Sequence, residues 1–146
     1  MSQPEQLVQL QQVFLQVFRA MAQQWGKHVE KDISGSQAHI LELLHNRGKQ
    51  RASDLAGDLN VTTGAVTSLC DKLISGGYAR RERTEEDRRV VYLVITKEGE
   101  EMLESVVEKR KEITDLFYSR LSAEDIDHLI RIYTQVIHNI KDRREM

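Results

Sequence analysis

Apolar residues recur at spacings of three and four from the start of the chain. Leu7, Leu10, Phe14, Val17 and Met21 form one series, with Val13 and Phe18 beside it. The spacing predicts a helix with one wide apolar stripe, from about Glu5 to the region of Trp25. Ser34-Gly35-Ser36-Gln37 reads as a capping box, in which Ser34 caps a helix and Gln37 reaches back. That helix carries Ile40, Leu41, Leu43 and Leu44 and stops near Asn46-Arg47-Gly48. A short helix follows from Ser53 to Leu59, burying Leu55, Ala56 and Leu59, and Asn60-Val61 makes a tight turn. Thr62 caps the next helix, whose inner side holds Val66, Leu69, Cys70, Leu73 and Ile74 and which Gly76-Gly77 stops. Two short helices joined this tightly predict a helix-turn-helix.

The period then changes. Tyr78 to Arg83 and Arg89 to Ile95 read as two strands, the second rich in β-branched residues, joined by the polar tip Thr84-Glu85-Glu86-Asp87-Arg88. Helix, turn, helix and hairpin, in that order, make a winged helix. The remainder is helical. Thr96 caps a long helix with Met102, Leu103, Val106, Val107, Ile113, Leu116 and Phe117 at its apolar positions, and Ser122-Ala123-Glu124-Asp125 starts another carrying Ile126, Leu129, Ile130, Tyr133, Val136, Ile137 and Ile140. The predicted fold class is mainly α with a small β-hairpin wing. The small central domain covers only part of these terminal apolar stripes. Apolar surface left over is usually buried against a partner, and the simplest partner is a second copy on a two-fold axis.

Composition narrows this picture little. The chain has 146 residues, 40% hydrophobic and 30% charged, an ordinary globular balance that argues against disorder. No apolar run approaches the roughly 20 residues needed to cross a bilayer, and Met1 to Gln12 lacks the basic and apolar regions of a signal peptide. With Cys70 the only cysteine, no intrachain disulfide can form, and a reducing cytosol is the simplest setting.

Charge changes the picture more. The net charge is −2, yet Arg47 to Tyr92 holds nine Lys and Arg against seven Asp and Glu, so this segment is +2 and the flanks carry −4. A local basic surface suits phosphate binding through counterion release. A solvated charged hairpin accounts for the charge count equally well.

The helix from Thr62 to Ser75 is the candidate recognition helix. Its outward positions, Thr63, Gly64, Thr67, Ser68, Asp71 and Lys72, are small and polar near the N-terminus. That suits insertion into a major groove about 12 Å wide. Thr and Ser can bond phosphates or bases, and Lys72, further along, is better placed for phosphate. Gly64 occupies a helical position where Ala would be more stable by up to ~1 kcal/mol, which close approach to a backbone or base would explain. In the hairpin, Arg80, Arg81 and Arg83 share one strand, and Arg88 and Arg89 follow the tip. An arginine there can enter a minor groove, oriented by Asp87. The neighbouring acids allow the opposite reading, a self-neutralised solvent loop.

Asp87-Arg88-Arg89-Val90-Val91-Tyr92-Leu93-Val94-Ile95-Thr96 resembles the D-x-R-x5-L-T wing signature of the multiple antibiotic resistance regulator (MarR) family, with Ile95 where Leu is usual. Gly77-Tyr78-Ala79-Arg80-Arg81 resembles the family's turn into the wing, and Asp54-Leu55-Ala56 its first helix-turn-helix segment. The resemblance covers essentially the whole chain. It implies a homodimer in which residues 1–33 and 97–146 form the helical dimerisation layer and 34–96 the winged helix-turn-helix domain. It also implies that Asp87 pairs with Arg89 and that Arg89 or Arg88 reaches the minor groove. The function so implied is repression from a palindromic operator on double-stranded DNA, with release by a small, often aromatic effector bound between the two layers. Trp25, His28 and His39 fall near that expected pocket, although packing of a helix end explains Trp25 as well.

Other chemistry finds little support. Cys70 sits on the inner side of the recognition helix, where a thiol behaves as a small hydrophobe. His28, His39, His45, His128 and His138 are scattered, and Glu42 with His39 or His45 offers at most a weak metal site. No catalytic constellation or glycine-rich phosphate loop is present, so the expectation is a non-enzyme without cofactor or metal. The competing reading from another class is a protein-interaction adaptor on a winged-helix scaffold, motivated by the acidic wing tip.

Overall fold

The computed structural model describes residues 1–29 and 33–144. Among them, helices and short strands follow one another as α1 (Gln3–His28), α2 (Gly35–Arg47), β1 (Gln50–Arg51), α3 (Ala52–Leu59), α4 (Thr63–Ser75), β2 (Ala79–Arg83), β3 (Val91–Ile95), α5 (Lys97–Tyr118) and α6 (Ala123–Arg144). The chain divides into two compact units between Arg110 and Lys111.

Local chemistry sets the helix ends. Helix α1 starts two residues earlier than the apolar stripe suggests. Ser2 and Glu5 form a reciprocal capping box there, and Pro4 sits in the first turn, where its missing N–H costs nothing. Ser34 and Gln37 form the predicted box on α2. Thr62 caps α4 by accepting the Ala65 N–H at 3.2 Å, and Ser122 caps α6 by accepting that of Asp125 at 3.1 Å. Asn60 ends α3 in the left-handed conformation (φ 55°), which Asn tolerates better than most residues. Gly77, at φ 82°, turns the chain out of α4.

The core of the first unit lies beneath the helix-turn-helix. Ile33, Ala38, Ile40, Leu41 and Leu44 from α2 and its approach meet Leu55, Val66, Cys70 and Leu73 from α3 and α4. Leu93 of β3 and Leu103 and Val106 of α5 close this core. Leu59, expected inside, is only half-buried.

The sheet differs from the predicted two-stranded hairpin. It has three antiparallel strands in the order β1-β3-β2, with Gln50 opposite Leu93 and Arg81 opposite Leu93 on the other side. Two residues of β1 are too few to show a period. The hairpin strands are also shorter than the β-branched run implied, because residues 84–90 form the turn. Thr84 Oγ1 accepts the Asp87 N–H at 3.2 Å, and the Asp87 carbonyl accepts the Val90 N–H at 3.2 Å.

Thr96 ties the wing to α5. Its hydroxyl donates to the Gly77 carbonyl at 2.6 Å and accepts the Gly99 N–H at 3.0 Å. In the same unit, Arg110 donates to Glu42 at 2.5 Å, and His45 Nδ1 lies 2.6 Å from a Glu100 carboxylate oxygen.

The second unit brings the end of α5 against α6. Thr114, Tyr118, Ile126, Leu129, Ile130 and Tyr133 line an apolar groove of about 310 Å³. Burial and a hydrogen bond with Tyr133 push the Tyr118 hydroxyl up to about 12.

Apolar side chains remain uncovered on both terminal helices. Helix α1 buries none of its residues, and Leu7, Leu10, Phe14 and Phe18 are all more than half exposed. On α6, Ile130, Ile137 and Ile140 stand half-exposed or more, and Leu116 of α5 is 64% exposed. Among the described residues no helix is long and apolar enough to cross a membrane.

Candidate DNA interface

Helix α4 keeps its two sides distinct. Val66, Cys70 and Leu73 are buried, while Thr62, Thr63, Gly64, Thr67, Ser68, Asp71 and Lys72 are exposed. Gly64, Thr67, Ser68 and Asp71 follow one another at helical spacing, so they make one outward row. The Thr67 hydroxyl donates to the Thr63 carbonyl at 2.9 Å, which fixes its rotamer and leaves its oxygen lone pairs and methyl outward. A Cβ at Gly64 would meet nothing closer than the Thr62 hydroxyl at 4.0 Å. No neighbour among the described residues therefore requires glycine there.

The pleat of β2 divides the hairpin arginines between two faces. Arg81 and Arg83 alternate with Arg80 and Glu82, so the strand does not present three arginines to one side. Arg81 turns toward α4 and pairs with Asp71. It joins Ala52, Thr67, Cys70, Val91 and Leu93 around a cavity of about 200 Å³ behind α4. Arg80 lies 3.6 Å from Glu82. Arg83 donates to the Arg88 carbonyl at 3.1 Å, which braces the turn.

At the tip, Asp87 Oδ1 accepts the Arg89 backbone N–H at 3.0 Å and its Nε–H at 3.2 Å. The Arg89 side chain is nonetheless 93% exposed, so it is oriented without being enclosed. Among the described residues the Arg88 side chain makes no ion pair or hydrogen bond.

The acids of this segment act mainly as partners. Asp58 pairs with Arg47 at 2.5 Å, and Asp54 with Arg51 at 3.2 Å. The Arg51 hydrogen bond holds the Asp54 carboxyl below its ordinary range. With Asp71, Glu82 and Asp87, five of the seven acids between Arg47 and Tyr92 lie against a base, leaving Glu85 and Glu86 exposed at the wing tip. Lys49 sits 4.9 Å from the centre of the Tyr92 ring. The Asp71–Arg81 partnership had no local signature, because it depends on how β2 meets α4, whereas Arg51 and Asp54 stand three residues apart at the start of α3.

Cys70 is 3% exposed, and burial, followed by the Asp71 charge, pushes its thiol up to about 11. Trp25 packs against the core, and its buried indole N–H has no hydrogen-bond partner among the described residues. A Cβ on Gly35 would lie 3.8 Å from that nitrogen. His28 and His39 are both exposed. Among the described residues no group of three or more His, Cys, Asp or Glu is placed to hold a metal ion.

Comparison with known proteins places this geometry. The MarR family profile matches residues 33–91. The HTH-type transcriptional repressor MdtR of Bacillus subtilis (strain 168) is 30% identical over 128 residues, covering 86% of this chain and 83% of MdtR. The HTH-type transcriptional regulator PecS of Dickeya dadantii (strain 3937) is 30% identical over 138 residues, covering 92% and 81%. In three dimensions the YusO protein of Bacillus subtilis matches with a TM-score of 0.77 at 25% identity, over 94% of this chain and 99% of that one. A MarR family protein from Bacillus stearothermophilus shares the fold with a TM-score of 0.81 at 20% identity, over 97% and 99%. A chain with this sequence likeness, this element order and this wing belongs to the MarR family of winged-helix, DNA-binding transcriptional regulators.

Proposed function

We propose that this regulator works as a cytoplasmic homodimer that represses transcription from a palindromic operator and leaves DNA when a small molecule binds. The observation that carries the reading is the wing tip, where Asp87 orients an Arg89 side chain that stays in solvent, together with the polar, exposed row on α4. In this reading Thr62, Thr63, Gly64, Thr67 and Ser68 meet the major groove N-terminal end first, and Lys72 takes a phosphate. Arg80, Arg83 and Arg88 add phosphate contacts, and Arg89 enters the minor groove. Glycine at position 64 then admits a base edge or sugar where a methyl group would stand.

Two further observations support the finer parts. MdtR is a repressor, and a mutant MarR from E. coli that shares this fold at 20% identity was solved with operator DNA. The uncovered faces of α1 and α6 support a dimerisation layer formed by 1–33 and 97–146, which leaves 34–96 as the DNA-binding domain. For the effector, the buried Trp25 indole N–H, which has no partner among the described residues, is a donor that a small polar or aromatic molecule could take up if the site opens, with His28 and His39 as further candidates.

Selection of bound fragments from random and genomic DNA tests the proposal. It predicts enrichment of one inverted repeat, whose complex dissociates steeply as salt rises. Failure to retain any duplex at low salt overturns it and favours the protein-interaction adaptor, for which the exposed Glu85 and Glu86 would be the contact point.

A further inference from the structure

We infer that the Asp71–Arg81 ion pair determines specificity, by withholding the Arg81 charge from phosphates and so keeping non-specific duplex binding weak. The inference rests on the reading of α4 and the wing as the DNA interface. Asp71 continues the outward row of Gly64, Thr67 and Ser68. A bare carboxylate there would face the phosphate rims of a groove and oppose every sequence alike. Arg81 neutralises it from the adjacent strand, and among the described residues it is the β2 arginine tied to α4.

The pair is about half exposed on both sides, so it contributes little to stability. Its consequence is electrostatic. A non-specific complex rests on phosphate contacts, and Arg81 can join them with its full charge uncompensated only by leaving Asp71. A specific complex instead fixes the angle between wing and helix, which the pair already holds. Loss of Asp71 would release a cation to any phosphate within reach, strengthening wrong complexes more than right ones. The other charges facing the pair do not replace Asp71, because Glu82 points to the opposite face of β2 toward Arg80 and Lys72 is itself a cation.

The test compares the 146-residue wild-type chain, Asp71→Asn, the double variant Asp71→Asn/Arg81→Gln, and Asp71→Glu. Each is titrated across salt against a selected operator duplex and a scrambled duplex of equal length. Asp71→Asn is expected to tighten scrambled-duplex binding and steepen its log–log salt slope by about 0.9, one phosphate's worth. The operator-to-scrambled ratio is expected to fall about tenfold, the size of one base pair's discrimination. The double variant should return the slope to the wild-type value, and Asp71→Glu should keep the wild-type ratio. An unchanged slope in Asp71→Asn, or an equal loss on both duplexes, overturns the inference and leaves the pair a purely structural tie. Wild type that binds neither duplex overturns the interface reading, and this inference with it.

Discussion

Asp87 and Arg89 are joined twice, through the backbone N–H and the Nε–H of the arginine, yet the guanidinium end is left in solvent. A side chain held at its base and free at its tip has already lost much of the entropy that binding would cost. Arg89→Ala is therefore expected to weaken operator binding by more than about 1 kcal/mol, and Asp87→Asn by less. Lys72→Ala should instead weaken all sequences alike and flatten the salt slope by about 0.9. Fluorescence anisotropy on operator and scrambled duplexes separates the two, and a folded Arg89→Ala with wild-type operator affinity contradicts the wing assignment.

The start of α5 is built against the strand-entry turn. A Cβ on Gly99 would press onto the Tyr78 carbonyl oxygen and lie 2.7 Å from Ile95 Cγ1. Backbone on one side leaves no side chain free to yield, so Gly99→Ala is expected to destabilise the fold by about 1–3 kcal/mol or more, as overpacking does. Urea unfolding measures it, and a change under about 0.5 kcal/mol would show that α5 can shift without cost.

The apolar side chains left uncovered on the terminal helices predict oligomer chemistry. Leu10 is 63% exposed and Ile137 51%, so charging them removes little from the single-chain core. Sedimentation equilibrium should give two chains for wild type and one for Leu10→Glu/Ile137→Glu, with helical content kept. A wild type that sediments as one chain at micromolar concentration overturns the dimer.

Cys70 predicts a pH dependence with a definite sign. Its ordinary value is 9.0, and burial raises it to about 11 in the folded protein. Above pH 9 the unfolded chain therefore loses a proton that the folded chain keeps. The stabilisation is complete below pH 9 and disappears as pH rises through 11. Denaturant midpoints of wild type should fall more steeply than those of Cys70→Ala between pH 9 and 11, and parallel curves would place the thiolate in water.

Much of this fold was legible in the chain. Ser34 with Gln37, Thr62, Gly77 and Ser122 act where their types and spacings indicate, because caps and turns are local chemistry. The wing signature likewise anticipated Asp87 beside Arg89. What the chain concealed depends on meetings between elements. Strand β1 exists because β3 offers an edge to Gln50 and Arg51. Arg81 stood among the candidate groove arginines, and its pairing with Asp71 appears only once the sheet turns it toward α4. The charge count of Arg47–Tyr92 carries no information on which acids orient bases and which simply oppose DNA.

The most direct measurement is a hydroxyl-radical footprint of the 146-residue chain on its selected duplex. A dimer using α4 and the wing predicts two symmetric protected half-sites, about 10–10.5 bp from centre to centre, with minor-groove protection that disappears in Arg89→Ala. A single asymmetric footprint, or one that Arg89→Ala leaves intact, would contradict the account.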